Sequence, residues 1–256
     1  MIEVRALHKS FGEAPVLRGV DLTIREGETL VIIGRSGGGK SVLLKHLCGL
    51  LKPDSGQVLV DGLDIVPLSE DELVPVRKKF GFLFQGAALF DSLTLYDNVA
   101  FPLREERRSE AEIERAVMEM LELVDLAQAR DKKPAELSGG MRKRAGLARA
   151  CVRRPKYLLY DEPTTGLDPI RADNINELIL RMRDHLKVTG VAVTHDMTSA
   201  YKIADRMAML HEGRIYAEGT PAEIRESRDR IVYQFIHGIA DMKMKQETTH
   251  GIATVR

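Results

Sequence analysis

Eight residues, Gly34-Arg35-Ser36-Gly37-Gly38-Gly39-Lys40-Ser41, follow the apolar run Leu30-Val31-Ile32-Ile33 and fit the pattern GxxxxGK[ST]. Glycines at this spacing let backbone N–H groups turn inward on phosphate oxygens, and a helix starting beside them adds the positive end of its dipole. Lys40 supplies a cation for β and γ oxygens, and the Ser41 hydroxyl is a ligand for Mg²⁺. A glycine-rich turn of purely structural use would leave Lys40 without a task.

Tyr157-Leu158-Leu159-Tyr160 is an apolar run ending in Asp161 and Glu162. It puts two carboxylates at the carboxyl edge of a strand, where α/β sheets bind ligands. Asp161 is placed to reach Mg²⁺, and Glu162 to orient or deprotonate an attacking water. Gln85, after Phe80 to Phe84, and His195, after Val191 to Thr194, hold the same strand-end position. Gln85 offers a neutral amide for water or Mg²⁺. A second glycine-rich turn, Leu137-Ser138-Gly139-Gly140-Met141, opens a basic helix predicted to begin near Met141. Two such turns in one chain point to two nucleotides shared between two copies.

The elements that must position these residues are legible from periodicity. Residues 1–33 read as short strands between charged turns, and Val42, Leu43, Leu44, Leu47 and Leu50 recur at helical spacing after the loop. A short strand is expected at Gln57 to Val60. Ser69 with Glu72, and Ser109 with Glu112, have capping-box spacing. From about 86 to 155 the pattern is helical, with Ile113, Val117, Met120, Leu121 and Val124 on one face. Beyond Pro155 strands and helices alternate again: a strand at Tyr157 to Tyr160, a helix with Ile175, Leu178, Ile179, Met182 and Leu186 on one stripe, then strands at Val191 to Thr194 and Met207 to Leu210. This argues for an α/β core with parallel strands, interrupted by a helical insertion. Ile231 to Gly238 is a short amphipathic pattern before a polar end; a frayed terminus and a tail that docks on a second subunit both fit it.

At 256 residues, with 44% hydrophobic and 30% charged content, the chain can bury a full core as one domain carrying a subdomain. Basic and acidic residues number 38 each, so no global field draws it to nucleic acid or an anionic membrane. Cys48 and Cys151 lack CxxC spacing and a nearby His cluster, which argues against a zinc or redox motif and predicts buried reduced thiols in a cytoplasmic setting. The N-terminus lacks the layout of a signal peptide. No uncharged apolar run approaches the roughly 18 residues of a membrane span, so a membrane role would be exercised through a partner.

Taken in order, GRSGGGKS, Gln85, LSGGM, YLLYDE, Gly166-Leu167-Asp168 and His195 resemble the motifs of the ATP-binding cassette family over nearly the whole chain. The resemblance implies an α/β fold with a P-loop NTPase, RecA-like core, an N-terminal antiparallel β subdomain and an inserted helical subdomain. The nucleotide-binding domain would span 1–225, and 226–256 would form a C-terminal amphipathic segment and tail. It also implies an ATP-bound homodimer that sandwiches two MgATP head to tail. ATP would be held by Phe11, stacked on adenine, and by Gly34, Arg35, Ser36, Gly37, Gly38, Gly39, Lys40, Ser41 and Val42. Mg²⁺ would be held by Ser41, Gln85 and Asp161. Leu137, Ser138, Gly139, Gly140 and Met141 resemble the signature that binds the γ-phosphate on the other subunit, and Gly166, Leu167 and Asp168 the loop that contacts the opposite site. Glu162 resembles the catalytic carboxylate, His195 the γ-phosphate switch, and Gln85 the residue linking nucleotide state to a membrane partner.

A finer resemblance lies in LFQGAALFDSLTLYDNVAFPLRE (83–105), in Met141 where the family usually has glutamine, in DEPTTGLDPI (161–170) and in RIVYQFIHGIAD (230–241). These are similar to the ATPase subunit of Mla-type phospholipid transporters and their Mce-associated relatives. That likeness implies an integral-membrane permease, an MCE-domain lipid-binding protein and a small STAS-domain protein as partners, with the chain peripheral on the cytoplasmic face of the inner membrane. Gly38 stands where a serine is common in the family's phosphate loop. The competing readings are an importer ATPase for a polar solute such as an amino acid or metal, a soluble cassette ATPase acting on ribosomes or DNA, and a P-loop kinase. The single cassette without heptad insertion argues against the ribosome and DNA classes, and a kinase would not need LSGG.

Overall fold

The computed structural model describes residues 1–239. The chain begins with β1 (Ile2–Phe11) and β2 (Ala14–Ile24), an antiparallel hairpin, followed by β3 (Thr29–Ile33) and α1 (Lys40–Leu47). Next come β4 (Ser55–Val60), β5 (Leu63–Asp64), α2 (Glu70–Arg77) and β6 (Phe80–Leu83). Three helices follow, α3 (Leu95–Glu105), α4 (Glu110–Leu123) and α5 (Gly139–Cys151). The chain then alternates through β7 (Tyr157–Asp161), α6 (Pro169–Leu186), β8 (Thr189–Thr194), α7 (Met197–Ile203) and β9 (Arg206–His211), and closes with β10 (Arg214–Gly219), α8 (Pro221–Arg225) and α9 (Arg230–Ile236).

Two sheets result. One is antiparallel in the order β2-β1-β4-β5. The other has the order β10-β9-β3-β8-β7-β6, parallel throughout except for β10 at its edge. Alternation along the parallel strands splits the interior into two cores, because successive side chains leave opposite faces of a sheet. Leu30, Ile32, Tyr157, Leu159, Val191, Val193, Ala208 and Leu210 face the antiparallel sheet and α1. Val31, Ile33, Leu158, Tyr160, Ala192, Met207 and Met209 face the helices.

The expectation of short strands over 1–33 is corrected: β1 and β2 run 10 and 11 residues. A register shift between Val4 and Leu7, with Ala6 at φ 44°, moves the buried positions from even to odd numbering, so period two never persists long enough to show one long strand. Leu50 is also corrected; α1 ends at Leu47 and Leu50 is exposed beyond it. Both capping boxes form, at Ser69 with Glu72 and Ser109 with Glu112. Ile113, Val117, Met120, Leu121 and Val124 are buried together as the spacing predicted. Cys48 and Cys151 are free and buried, and burial pushes the Cys48 thiol up to about 11.

Asp61, in the turn between β4 and β5, holds the antiparallel sheet to the start of β7. Its carboxylate accepts from Tyr157 Oη at 2.5 Å, Lys79 Nζ at 2.9 Å, Lys156 Nζ at 2.9 Å and the amino terminus at 3.3 Å. Partial burial raises the carboxyl's pKa, but these donors outweigh it and hold the group well below the usual carboxylate range. The folded pKa lies below the unfolded one, so this stabilisation is fully present above about pH 4 and is lost as pH falls through that region. Asp61→Asn should cost about 2 kcal/mol at pH 7, as loss of hydrogen bonds to a charged group does. Denaturant unfolding of both proteins at pH 7 and pH 3 checks this: the difference should shrink in acid, and an equal difference at both pH values would remove the electrostatic account.

Candidate nucleotide site

Parallel pairing places the ends of four strands side by side. Ile33 of β3 lies opposite Thr194 of β8, Asp161 of β7 opposite Val193, and Leu83 of β6 opposite Tyr160. The glycine loop, His195, Asp161 with Glu162, and Gln85 therefore emerge along one edge, the carboxyl edge where such sheets bind ligands. Gly34 has φ 155°, and a Cβ there would lie 2.4 Å from the Leu210 carbonyl oxygen, so only glycine lets the loop leave β3 this close to β9.

A cavity of about 330 Å³ opens on this edge and is lined by Phe11, the loop residues Ser36 to Val42 apart from Gly38, Gln85, Glu162 and His195. Phe11 sits at its rim, 51% exposed, with Lys9 Nζ 5.7 Å from its ring centroid. Ser41 Oγ donates to Asp161 Oδ1 at 2.6 Å, so a hydroxyl and a carboxylate oxygen converge in one place. Lys40 Nζ, buried, donates to the carbonyls of Gly34 at 2.8 Å and Arg35 at 3.1 Å and lies 3.6 Å from Glu162. Burial lowers the Lys40 pKa, with Glu162 and Asp161 opposing that shift.

Glu162 is held from several sides. Its N–H still donates to Val193 at 3.0 Å, continuing the β7–β8 pairing, but its φ of 48° turns the side chain out of the strand direction. Such a conformation costs of order 1 kcal/mol and persists only where surrounding contacts impose it. Those contacts are Thr165 Oγ1 at 3.0 Å, Thr194 Oγ1 at 3.3 Å and His195 Nδ1 at 3.0 Å. Burial acts to raise the Glu162 carboxyl, but His195, Lys40 and Thr165 together outweigh it and keep its pKa below the usual range. The carboxylate is thus ionised at neutral pH and available as a proton acceptor or water-orienting group.

The second glycine turn is elsewhere. Ser138 N-caps α5, accepting from Met141 N at 3.3 Å, and α5 begins at Gly139, two residues before the predicted start near Met141. Ser138, Gly140 and Met141 line a different cavity of about 350 Å³ with Arg144, Arg171 and Arg181. Leu137 is buried, and Met141 packs partly against the helical core. Asp168, beyond Gly166 and beside Leu167, N-caps α6 by accepting from Arg171 N at 3.0 Å. Within one chain, then, Phe11, the loop, Asp161, Glu162, Gln85 and His195 come together, while the signature turn and Asp168 stand apart from them.

Several residues that no motif flagged support the site. Asn176 on α6, Ser199 on α7, Thr164 and Asp196 form a buried network behind His195: Asn176 Nδ2 donates to Ser199 Oγ at 2.9 Å, and Ser199 Oγ donates to Asp196 Oδ2 at 2.6 Å. Lys143 Nζ donates to the carbonyls of Gln85 and of Glu162, the latter at 3.1 Å. In sequence Lys143 reads as one cation in the basic run Arg142-Lys143-Arg144, and nothing there marks it as the buried one.

Residues 17–165 match the family model described as ABC transporter. The chain is 46% identical over 249 residues to the "Probable ribonucleotide transport ATP-binding protein mkl" of Mycobacterium leprae, covering 96% of this chain and 72% of that protein. It is 41% identical to the intermembrane phospholipid transport system ATP-binding protein MlaF of Haemophilus influenzae, covering 94% and 92%. It is also 40% identical to the methionine import ATP-binding protein MetN 1 of Rhodopseudomonas palustris, covering 93% and 64%. The fold superposes on the dimeric, post-hydrolysis structure of the ATP-binding cassette MJ0796 bound to ADP and Pi, with a TM-score of 0.80 and 34% identity over 86% of this chain and 99% of that one. The antiparallel β sheet, the P-loop core and the helical insertion are those of the cassette fold. The chain belongs to the ABC transporter family, as an ATP-hydrolysing, ATP-binding subunit.

Proposed function

We propose that the chain works as a pair of copies that drive phospholipid transport through a membrane partner, each ATP lying between the glycine loop of one copy and the signature turn of the other. The observation that carries this is the separation of Ser138–Met141 from the loop cavity within one chain. A helix N-terminus with exposed N–H groups is built for an anion, and a second copy supplies one without rearranging the fold. The similar cassette MJ0796 is dimeric.

In this reading Phe11 stacks on the adenine, residues 34–42 cradle the phosphates, and Lys40 neutralises them. Glu162 positions or deprotonates the attacking water, while His195 contacts the γ-phosphate and steadies Glu162. Ser41, Asp161 and Gln85 would hold Mg²⁺, which would supply charge neutralisation at the phosphates. The donor set fits a hard cation of small radius, because Mg²⁺ is commonly held by one or two carboxylates with the remaining positions left to water and phosphate. Asp168 faces the opposite copy.

The partner surface is an apolar groove of about 360 Å³ beside Gln85, lined by Phe84, Phe90, Phe101 and Pro102 among others. Phe90 and Phe101 are both exposed, with ring centroids 4.8 Å apart. A paired aromatic patch of this kind marks a site for another protein. No helix among the described residues is long and apolar enough to cross a membrane, so a permease would reach the cassette here, at the cytoplasmic face of the inner membrane. Phospholipid as cargo is supported by similarity over nearly the whole of MlaF, by the 83–105 segment and by Met141. The MCE-domain and STAS-domain partners belong to the same reading. Similarity to MetN favours a second reading, an importer for a polar solute such as methionine.

Residues 1–225 would form the nucleotide-binding domain and 226–256 its C-terminal extension. Helix α9 packs on the chain's own core through Val232, with Ile231, Phe235 and Ile236 partly buried. Docking of the 226–256 segment on a second copy remains part of this proposal, and residues 240–256 of it lie outside the described residues.

Three outcomes test these roles. Glu162→Gln should lower ATP turnover by about 10²-fold or more while ATP still drives dimer formation by light scattering; near-normal turnover would take Glu162 out of the chemistry. Phe101→Glu should abolish co-purification of the membrane partner with ATP binding intact, and retained co-purification would move the docking surface elsewhere. Native-membrane purification should recover a permease, an MCE-domain protein and phospholipid. Recovery of a solute-binding protein instead would establish the importer reading.

A further inference from the structure

The signature helix α5 carries two buried or half-buried cations that point toward the segment after β6, where Gln85 lies. Lys143 is 6% exposed and donates to the Gln85 carbonyl and, at 3.1 Å, to the Glu162 carbonyl. Arg149 donates to the carbonyls of Ala87 at 2.8 Å and Ala88 at 2.6 Å, and both alanines have positive φ, 62° and 50°. Between the two cations, Gly146 lets the backbones close in: a Cβ there would lie 2.9 Å from Leu83 and 3.1 Å from the Ala87 Cβ. The helix and residues 83–88 are therefore clasped at Lys143, Gly146 and Arg149.

Lys143 extends that clasp to the end of β7 through a hydrogen bond to the Glu162 carbonyl. Glu162 sits at φ 48°, where a non-glycine residue stays only under constraint, and its carbonyl is the acceptor that Lys143 holds. Desolvation of the Lys143 ammonium disfavours its charge, and the nearby Asp161 and Glu162 carboxylates favour it. A buried cation is tolerated when its N–H groups are satisfied, and here two of the partners are the main chains of site residues.

We propose that Lys143 is a positioning residue for hydrolysis, tying the signature helix to the backbones of Gln85 and Glu162 so that the Glu162 carboxylate is set only while that helix is seated. The proposal rests on the reading of Glu162 as the group that acts on water. It links one side chain of the signature helix to the main chains of two site residues, Gln85 beside the partner groove and Glu162 in the chain's own site. Movement of α5 would reach the Glu162 main chain directly through this ammonium.

Steady-state ATPase kinetics of the full-length chain with Lys143→Met and Lys143→Gln test this, beside Glu162→Gln. The methionine variant should lower kcat roughly tenfold or more while KM for ATP stays within about twofold, the pattern of an interaction used in the reaction and not in binding. The glutamine variant keeps N–H donors without charge and should retain more of kcat than methionine at the same KM. It also keeps the test informative if the methionine variant does not fold. Wild-type kcat in both variants would overturn the proposal, and so would a fall in kcat matched by a rise in KM and a lower Tm. A slow Glu162→Gln protein beside wild-type-like Lys143 variants sinks the Lys143 role alone. A near-normal Glu162→Gln protein sinks the reading beneath it.

Discussion

Matched parallel pairing of β3, β8, β7 and β6 is the constraint on which the rest of the structure depends. Because the ladder aligns Ile33 with Thr194 and Asp161 with Val193, residues more than a hundred positions apart leave the sheet at one level. A slip of one residue in any of these ladders would turn its inward side chains outward and carry its site residue off the edge. The two-sided burial of these strands resists such a slip, since both faces are committed to separate cores. Chemistry and packing are thus specified by the same register.

Charge is buried at the two ends of this sheet where polar partners meet it. Lys40 is held by loop carbonyls, Lys143 by the carbonyls of Gln85 and Glu162, and Arg206 by Glu28, Glu218 and the Thr23 carbonyl. An unpaired buried ion costs several kcal/mol, so each of these residues stabilises one arrangement of the segments around it and penalises the others. Arg206 joins the β2–β3 turn to the edge strand β10, and Asp61 does the same at the far end of β7. Both anchors lie at the amino end of the parallel sheet, opposite the site, since Arg206 pairs with Leu30 and Tyr157 with Thr189. The α5 helix and the segment after β6 border the site and are tied to it through Lys143.

The division of the binding groups between two faces is a physical reason for pairing. In the proposed pair a nucleotide in the loop cavity would meet cations, amides and an aromatic ring on one side, while the Ser138–Met141 turn lines a separate cavity. Closing a second copy over the first would bring these halves together and exclude water from the phosphates, which strengthens each electrostatic contact.

The strand, loop and helix around Gly34–Ser41, the strand ending in Asp161 and Glu162, the two capping boxes and the α4 face were all legible from the sequence, because each depends on neighbours within one or two turns or on period-two alternation. The family was legible for the same reason, as an ordered set of local motifs. Three features were not. The bulge at Ala6 hid the length of β1, Leu50 shared the spacing of α1 without sharing the helix, and Lys143 looked like its solvated neighbours. Whether a side chain is buried, and which distant carbonyl it meets, is set by how strands and helices pack across the whole domain. The sequence by itself determined which chemical groups exist and the local elements that carry them. Only the tertiary structure decided that Gln85, Glu162 and His195 share a cavity, that Ser138–Met141 stands outside it, and that one lysine joins the two, because those relations arise from long-range register and close packing.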